Sequence, residues 1–269
     1  MAKCEPELAR KNAIWNVIET VSGERLYPYL EKLDAKAGDV LCEPGSTIDY
    51  AYFPLGAILS MVTVLRNGAF IETANIGAEG SFAICLALYG LASPKRCSAY
   101  TRCLVQSPGA LLRVHLAVLA PEFAKSAELR DVAARHEAML MARVQQSAAC
   151  QAVHSVQERI TRWILDMHDR VGRDEISFTH ESLSQLHAMN RKSVTLALGA
   201  LEKAGLITAG RGKITVCNRI GLEAAACECY AITKELQRSF EARSSLSLRR
   251  PGTHSSWPAR ETASKLSRQ

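Results

Sequence analysis

The spacing of apolar residues changes three times along the chain. In residues 1–33, Ile14, Trp15, Val17, Ile18, Val21, Leu26 and Leu30 recur at helical intervals, which predicts a helix. From about residue 38 the pattern shortens to β-rich runs broken by Gly, Pro and Asn, "GDVLCEPGSTIDYAYFPLGAILSMVTVLRNGAFIETANIGAEGS". Inside it, Asn67-Gly68 suits a tight primed turn, in which both central residues take positive φ. Further strands are expected around 99–105 and 110–114, with "SPG" (107–109) turning the chain between them. Short strands at regular spacing build an antiparallel barrel or jelly roll.

After Pro121 the period is helical again. Residues 122–150 contain no Gly or Pro, and Leu129, Val132, Ala133, His136, Met139, Leu140, Arg143, Val144 and Ser147 fall near heptad spacing. His136 and Arg143 interrupt the stripe, and a polar residue in a helix seam can set register or orientation. Such a helix either pairs with a second copy or packs on its own β domain. The first is the expectation, with Leu129, Val132, His136, Met139, Leu140 and Val144 at a homodimer interface. Residues 154–170 form another amphipathic helix, with Val156, Ile160, Trp163, Ile164 and Met167 on one face.

"SFTHESLSQLHAMNRKSVTLALGALEKAGLI" then gives two short helices in succession. Thr179 is a good N-cap for the first, with Glu181 in its first turn; Asn190 caps the second, and Gly205 is its natural stop. On the second helix Val194, Ala197, Leu198 and Leu201 share one face and should pack on Leu183 and Leu186. Lys192, Leu196, Gly199 and Lys203 face the other way. Two helices joined by a tight turn, the second basic at its start, match helix-turn-helix geometry. "LITAGRGKITV" adds two strands around Arg211-Gly212, a wing whose Arg211 and Lys213 could reach a phosphate backbone. The candidate DNA contacts are Thr179, His180, Asn190, Arg191, Lys192, Ser193, Thr195, Leu196, Lys203, Arg211 and Lys213. The bland alternative is a helical hairpin of an enzyme with a solvated basic face.

Composition narrows these readings. With 269 residues, 48% hydrophobic and 22% charged, the chain can bury a sizeable core, although the tail from about 241, rich in Ser and Arg, is expected to be disordered. A net charge of +6 permits an anionic partner without requiring one. The start lacks the apolar run of a signal peptide, and "FAICLALYGLA" (82–92) is too short to span a bilayer, so a cytoplasmic protein without membrane contact is expected. The nine cysteines are then expected to be reduced thiols. Cys97 and Cys103 are six apart, and only one residue separates Cys227 from Cys229 in "CECY". Neither gap is that of a paired metal motif, so no metal is expected. Cys150 and His154 could share a helix face as nucleophile and base. No motif supplies the orienting group or oxyanion site they would need, and no enzyme is expected.

Taken together, "TRWILDMHDR", "THESLSQLHAMNRKSVTLALGALEKAGLI", "GRGKITV" and "NRIGLEAAACECY" resemble the C-terminal winged helix of the Crp–Fnr family of bacterial transcription regulators. "YFPLGAILSMV", "NGAFIETANIGAEG" and "QQSAACQAVHSVQERITRW" resemble that family's β-roll and dimer helix, so the likeness covers about residues 35–230. It implies an α+β chain: an N-terminal antiparallel β-roll of cyclic-nucleotide-binding-domain type (1–120, with the N-terminal helix), a dimerisation helix (121–153) and a winged helix-turn-helix with a C-terminal helix (154–240), followed by the tail (241–269). The implied function is sequence-specific binding of double-stranded DNA by a homodimer on an inverted repeat, with RNA polymerase as a candidate partner. The alternative is a ligand-sensing module acting mainly through protein contacts.

Departures from the family pattern are informative. Arg191 keeps the first position of the recognition helix, but Lys192 replaces a Glu and Leu196 a second Arg, which changes the donors and acceptors offered to bases. Ala188 stands where the family usually has Gly, so this turn is expected not to need a positive φ. In the effector pocket, Gly80 is followed by Ser81 rather than the Glu that would hold a ribose, and Arg96 lies beyond the usual spacing for a cyclic phosphate. A cyclic nucleotide is therefore disfavoured, and no cofactor is expected.

Overall fold

The computed structural model describes residues 6–89, 98–178 and 180–247. It opens with α1 (Pro6–Ala9) and α2 (Ala13–Leu26), separated at Asn12. The Asn12 Oδ1 accepts hydrogen bonds from Ile14 N (3.1 Å) and Trp15 N (2.9 Å) and so caps α2. Its Nδ2 donates to Pro54 O (2.9 Å) and Gly80 O (2.8 Å), so the buried amide is fully bonded and ties the helix to the β domain. The helix expected to reach residue 33 ends earlier. Leu26 is its last residue, a 3-10 turn follows at Tyr27–Tyr29, and β1 (Glu31–Ala35) begins at once. Pro28 cannot supply the N–H that a continuing helix needs.

Six more strands complete the β-roll: β2 (Val40–Cys42), β3 (Tyr50–Pro54), β4 (Ile58–Val64), β5 (Phe70–Ile76), β6 (Arg102–Ser107) and β7 (Gly109–His115), with α3 (Leu86–Tyr89) between β5 and β6. They form two antiparallel sheets, ordered β1-β7-β3 and β2-β6-β4-β5. The β4–β5 turn is not the primed type. Gly68 has φ +83°, but Asn67 keeps an ordinary φ, and Gly68 N donates to Leu65 O (2.9 Å) while Leu65 N donates to Ala69 O (2.7 Å). This is a three-residue loop with a left-handed glycine. The Asn67 side chain accepts from Ala69 N (3.1 Å), a local bond that does not require the left-handed conformation.

The helical half begins with α4 (Leu116–Lys125) and α5 (Ala127–Val153), divided at Ser126, whose hydroxyl accepts from Leu129 N (3.2 Å). The apolar stripe of α5 is spent within the chain, not kept for a second copy. Leu129, Val132 and Met139 are buried in one cluster with Trp15, Ile18, Phe53, Leu112 and Val114, and Leu140 joins Leu59, Ile76, Val105 and Leu111 in another, with Val144 packed at its edge. His136 accepts from Ser81 N through Nε2 (3.2 Å), and Arg143 donates to Asn75 and Glu79 (3.2 and 3.3 Å). The expected dimer contacts Leu129, Val132, His136, Met139 and Leu140 are thus core residues. The β-roll needs a cover for its apolar face, and burial within one chain avoids the entropy cost of association.

Beyond α5 come α6 (Val156–Val171), β8 (Glu175–Ser177), α7 (His180–Leu186), α8 (Arg191–Lys203), β9 (Ile207–Gly210), β10 (Lys213–Val216), α9 (Arg219–Ala225) and α10 (Cys229–Ser247). A capping box of Ser155 and Glu158 starts α6, and Gly172 at φ +67° ends it. α10 runs back along α5 and stays helical through 241–247, where the sequence suggests a tail; residues 248–269 lie outside the described residues. Phe240 of α10 is buried beside His136, ring centroids 6.0 Å apart. The C-terminal unit also packs on the β-roll: Ile58 and Val62 of β4 share a core with Trp163, Leu186 and Val194. Arg143 of α5 and Arg170 of α6 both donate to Glu79 Oε1, at 3.3 and 2.8 Å.

His136 makes this junction sensitive to pH. Burial pushes its pKa down to about 4, aided by Arg143 and opposed by Glu79. The unfolded chain, near the ordinary histidine value, binds an extra proton between about pH 6.5 and 4. The contribution of His136 is therefore complete above that window and is lost as pH falls through it. His136→Gln keeps an acceptor for Ser81 N–H but does not titrate. Between pH 7 and 4 the wild type should lose about 3 kcal/mol more stability than this variant in denaturant melts.

Candidate nucleic-acid interface

The two short helices near the C-terminus are held by a core that leaves one face of α8 outward. Leu183 and Leu186 of α7 and Val194, Ala197, Leu198 and Leu201 of α8 are buried together with Ile160, Trp163 and Ile164 of α6. The Asn190 side chain accepts from Lys192 N (2.8 Å) and caps α8, and Gly205 ends it with φ +67°. Arg191, Lys192, Thr195, Leu196 and Lys203 are exposed, whereas Ser193 is half-buried. Leu196 is 65% exposed, a large apolar side chain standing in water on an otherwise polar face. The Thr195 hydroxyl donates to Arg191 O (3.0 Å). His180 opens α7, and Thr179 lies outside the described residues.

Next to α8 stands a three-stranded sheet, ordered β8-β10-β9. Arg211 and Gly212 form its tip, Arg211 exposed and Gly212 at φ +73°. Lys213 is exposed but paired: its Nζ lies 2.7 Å from Glu175 Oε2 on the neighbouring strand. That carboxylate neutralises one of the two wing cations inferred from sequence, which leaves Arg211 as the better placed one. Exposed pairs of this kind are weak, so a phosphate could still compete for the lysine.

The α7–α8 turn departs from expectation. Ala188 has φ +49°, the left-handed region, although it carries a Cβ. The reversal is fixed by its surroundings: Met189 N donates to Ser184 O (2.9 Å), Ser184 Oγ donates to Met189 O (2.7 Å), and Arg159 donates to His187 O (3.0 Å). His187 and Met189 are buried on either side, with the His187 ring 5.9 Å from that of Trp163. Burial lowers the His187 pKa to about 3, so its ring is neutral at physiological pH. The geometry of the turn is thus kept without the glycine, and the strain falls on Ala188.

Gly80 and Ser81 are both buried. Ser81 donates its hydroxyl to Tyr52 O (2.9 Å) and its N–H to His136. A Cβ on Gly80 would lie 2.8 Å from His136 Nε2, so the glycine is what lets the helix approach this closely. Arg96, the third residue inferred for an effector, lies outside the described residues.

One constellation escaped the sequence reading. Cys150 and His154, weighed as a nucleophile and base, are joined by Cys227 and Cys229, and the four ligand atoms all lie within 4.8 Å of one another. Spacing along the chain could not reveal this, because the fold brings two segments together that lie far apart in sequence. The signal available was local only: a Cys and a His four residues apart at one helix end, and a Cys-x-Cys before another helix.

Residues 158–225 match the Crp-like helix-turn-helix domain. Among solved structures, FixK2 of Bradyrhizobium japonicum superimposes with a TM-score of 0.61 at 13% identity, covering 74% of this chain and 98% of that one. TTHA1359, a transcriptional regulator of the CRP/FNR family from Thermus thermophilus, gives 0.59 at 23% identity over 73% and 98%. TTHB099, a CRP-family transcriptional regulator from the same organism, gives 0.58 at 20% identity over 73% and 96%. No curated protein sequence matches. At these identities the structures establish the fold: a β-roll carried through a long helix to a winged helix-turn-helix. The chain thus carries a Crp-like helix-turn-helix domain at residues 158–225 and shares its overall fold with these solved structures. Among the described residues no helix is long and apolar enough to cross a membrane.

Relief of the strained turn gives a direct check. Ala188→Gly removes the Cβ penalty of the left-handed conformation, at some cost in unfolded-chain entropy. It should raise stability by up to about 1 kcal/mol in thermal or denaturant melts and leave the fold unchanged.

Proposed function

We propose that the protein is a homodimeric, sequence-specific DNA-binding regulator, with α8 in the major groove and the β9–β10 wing on the backbone. The observation that carries this reading is the outward face of α8. It combines a capped N-terminus, exposed Arg191 and Lys192, and an exposed Leu196, on a scaffold whose other face is fully packed. Lys192, within the first turn, can donate to guanine O6 or N7, and Leu196 can meet a thymine methyl. Arg211, at the wing tip, is placed for phosphate.

The dimer would use the other side of α5. Asp131, Ala134, Ala138, Met141, Gln145, Ala148 and Ala152 are all exposed and recur at alternating three- and four-residue steps. That is the seam spacing of a helix pair, and its alanines allow close approach of two backbones. Met141, 52% exposed, supplies the large apolar contact. Met141→Lys should therefore shift the protein toward monomer in analytical ultracentrifugation while leaving its thermal stability as a folded chain almost unchanged. Leu140→Glu, one residue away but inside the β-roll core, should unfold the chain.

The buried Ser81 and the close approach of His136 argue against a cyclic nucleotide at the Gly80–Ser81 turn. Titration calorimetry should find no tight binding of cyclic AMP. Sub-micromolar affinity would contradict this.

The basic residues separate by role. Lys192→Ala should cost about 1–3 kcal/mol on the best operator and relax preference at one position per half-site. Arg211→Ala should weaken specific and random DNA alike and reduce the salt slope by about one unit per lost contact. Gel shifts of both variants across a salt series measure this. Identical behaviour of the two on specific and random DNA would show that helix and wing are wrongly assigned.

A further inference from the structure

The Cys150–His154–Cys227–Cys229 constellation lies away from α8 and has no part in the DNA-binding reading. Cys150 is in the last turn of α5, His154 is the residue that ends that helix, and Cys227 and Cys229 flank the start of α10. The three cysteines are buried and form a packing cluster of their own, separate from the three apolar cores. The Cys150 and Cys227 sulfurs are 3.7 Å apart, and the Cys229 sulfur lies 3.5 Å from His154 Nδ1. Zinc–sulfur bonds of about 2.3 Å and a zinc–nitrogen bond of about 2.0–2.1 Å make a tetrahedron with edges of roughly 3.6–3.8 Å. The Cys150–Cys227 and Cys229–His154 contacts, at 3.7 and 3.5 Å, already have the length of such edges.

The surroundings fit as well. His154 turns Nδ1 to the sulfurs and Nε2 to Glu228 Oε2 at 3.1 Å, so a carboxylate would fix the tautomer that leaves Nδ1 as the ligand. Gln146 Nε2 donates to the Cys229 sulfur (3.0 Å). Arg162 of α6 donates to Ser147 of α5 (3.4 Å), about one turn before Cys150, and so brings a positive charge to this end of the helix. A multinuclear cluster would place several metal and sulfide atoms between the ligands and hold them farther apart than this.

We propose that Cys150, His154, Cys227 and Cys229 bind a single zinc ion in a closed Cys3His site that staples the end of α5 to the start of α10. Binding forms three zinc–sulfur bonds and one zinc–nitrogen bond and releases the thiol protons to solvent, with no change of oxidation state. Four protein ligands leave no open position, so the ion is structural. It spans the break at Ser155 between α5 and α6, which is where the winged helix joins the rest of the molecule. Holding that joint fixes how α8 is presented.

The test is metal analysis of the full-length protein, untagged and purified under reducing conditions without chelator, then depleted and refilled with Zn2+ or Co2+. The expected result is about one zinc per chain. The cobalt form should show the strong visible bands of tetrahedral thiolate coordination. Cys150→Ser and Cys227→Ser should each weaken zinc at least about tenfold in competition with a chromophoric chelator. Cys217→Ser, at an exposed position outside the site, should not. The cobalt spectrum uses the wild-type chain and so holds even if a cysteine variant fails to fold. Zinc well below one per chain after refilling, an octahedral cobalt spectrum, stoichiometric iron or copper in place of zinc, or zinc retained by both cysteine variants would each overturn the assignment.

Discussion

From Leu129 to Leu140, one face of α5 closes the open side of the β-roll, and the rest of the molecule takes its position from that helix. Trp15 and Ile18 of α2 pack on the same cluster, and Phe240 of α10 enters it from the far end of the chain. At His136 the approach is so close that the β-roll must present a glycine, Gly80, against the imidazole. Two turns farther, Arg143 shares Glu79 with Arg170 and so passes the orientation of α5 on to α6. That buried face, together with the direct packing of Ile58 and Val62 on the winged-helix core, sets the relation of the winged helix to the β-roll.

Spending the apolar stripe inside the chain sets a constraint on assembly. A helix has two long faces, and here the hydrophobic one is used up. What faces solvent along the seam is mostly alanine, with Met141 and the polar Asp131 and Gln145, a surface that adds little burial per residue but permits close backbone packing. The distinction between Leu140 and Met141 is the sharpest expression of this. They are neighbours in sequence, yet one is core and the other is surface.

Much of this was legible in the sequence because it rests on local rules. The α8 cap at Asn190, its stop at Gly205 and the division of its faces follow from short-range hydrogen bonding and a 3.6-residue period, and the winged helix is built from such pieces. Other features depend on tertiary contacts, which no local pattern carries. Heptad spacing marks residues 129–144 as buried but cannot say whether a sheet or a second helix buries them. The positive φ of Ala188 is imposed by Ser184, Arg159 and the packing around His187, against the preference of alanine itself. Asn67 shows the reverse: its side chain satisfies a backbone group locally, and the primed turn is not needed. The Cys3His constellation is the extreme case, since its two halves meet only after α10 has folded back along α5.

The proposed function rests on a capped, partly basic, partly apolar helix face held on a rigid support. Under the proposed reading, Lys192 and Leu196 would change the bases that α8 reads while the Crp-like helix-turn-helix fold is kept. Selection of bound sequences from a random DNA pool by the full-length protein tests this most directly. The account predicts an enriched inverted repeat with half-site centres about 10–10.5 bp apart, one helical turn, as two-fold related copies of α8 would require. Recovery of no enriched sequence, or of a single asymmetric site bound by a monomer, would contradict it.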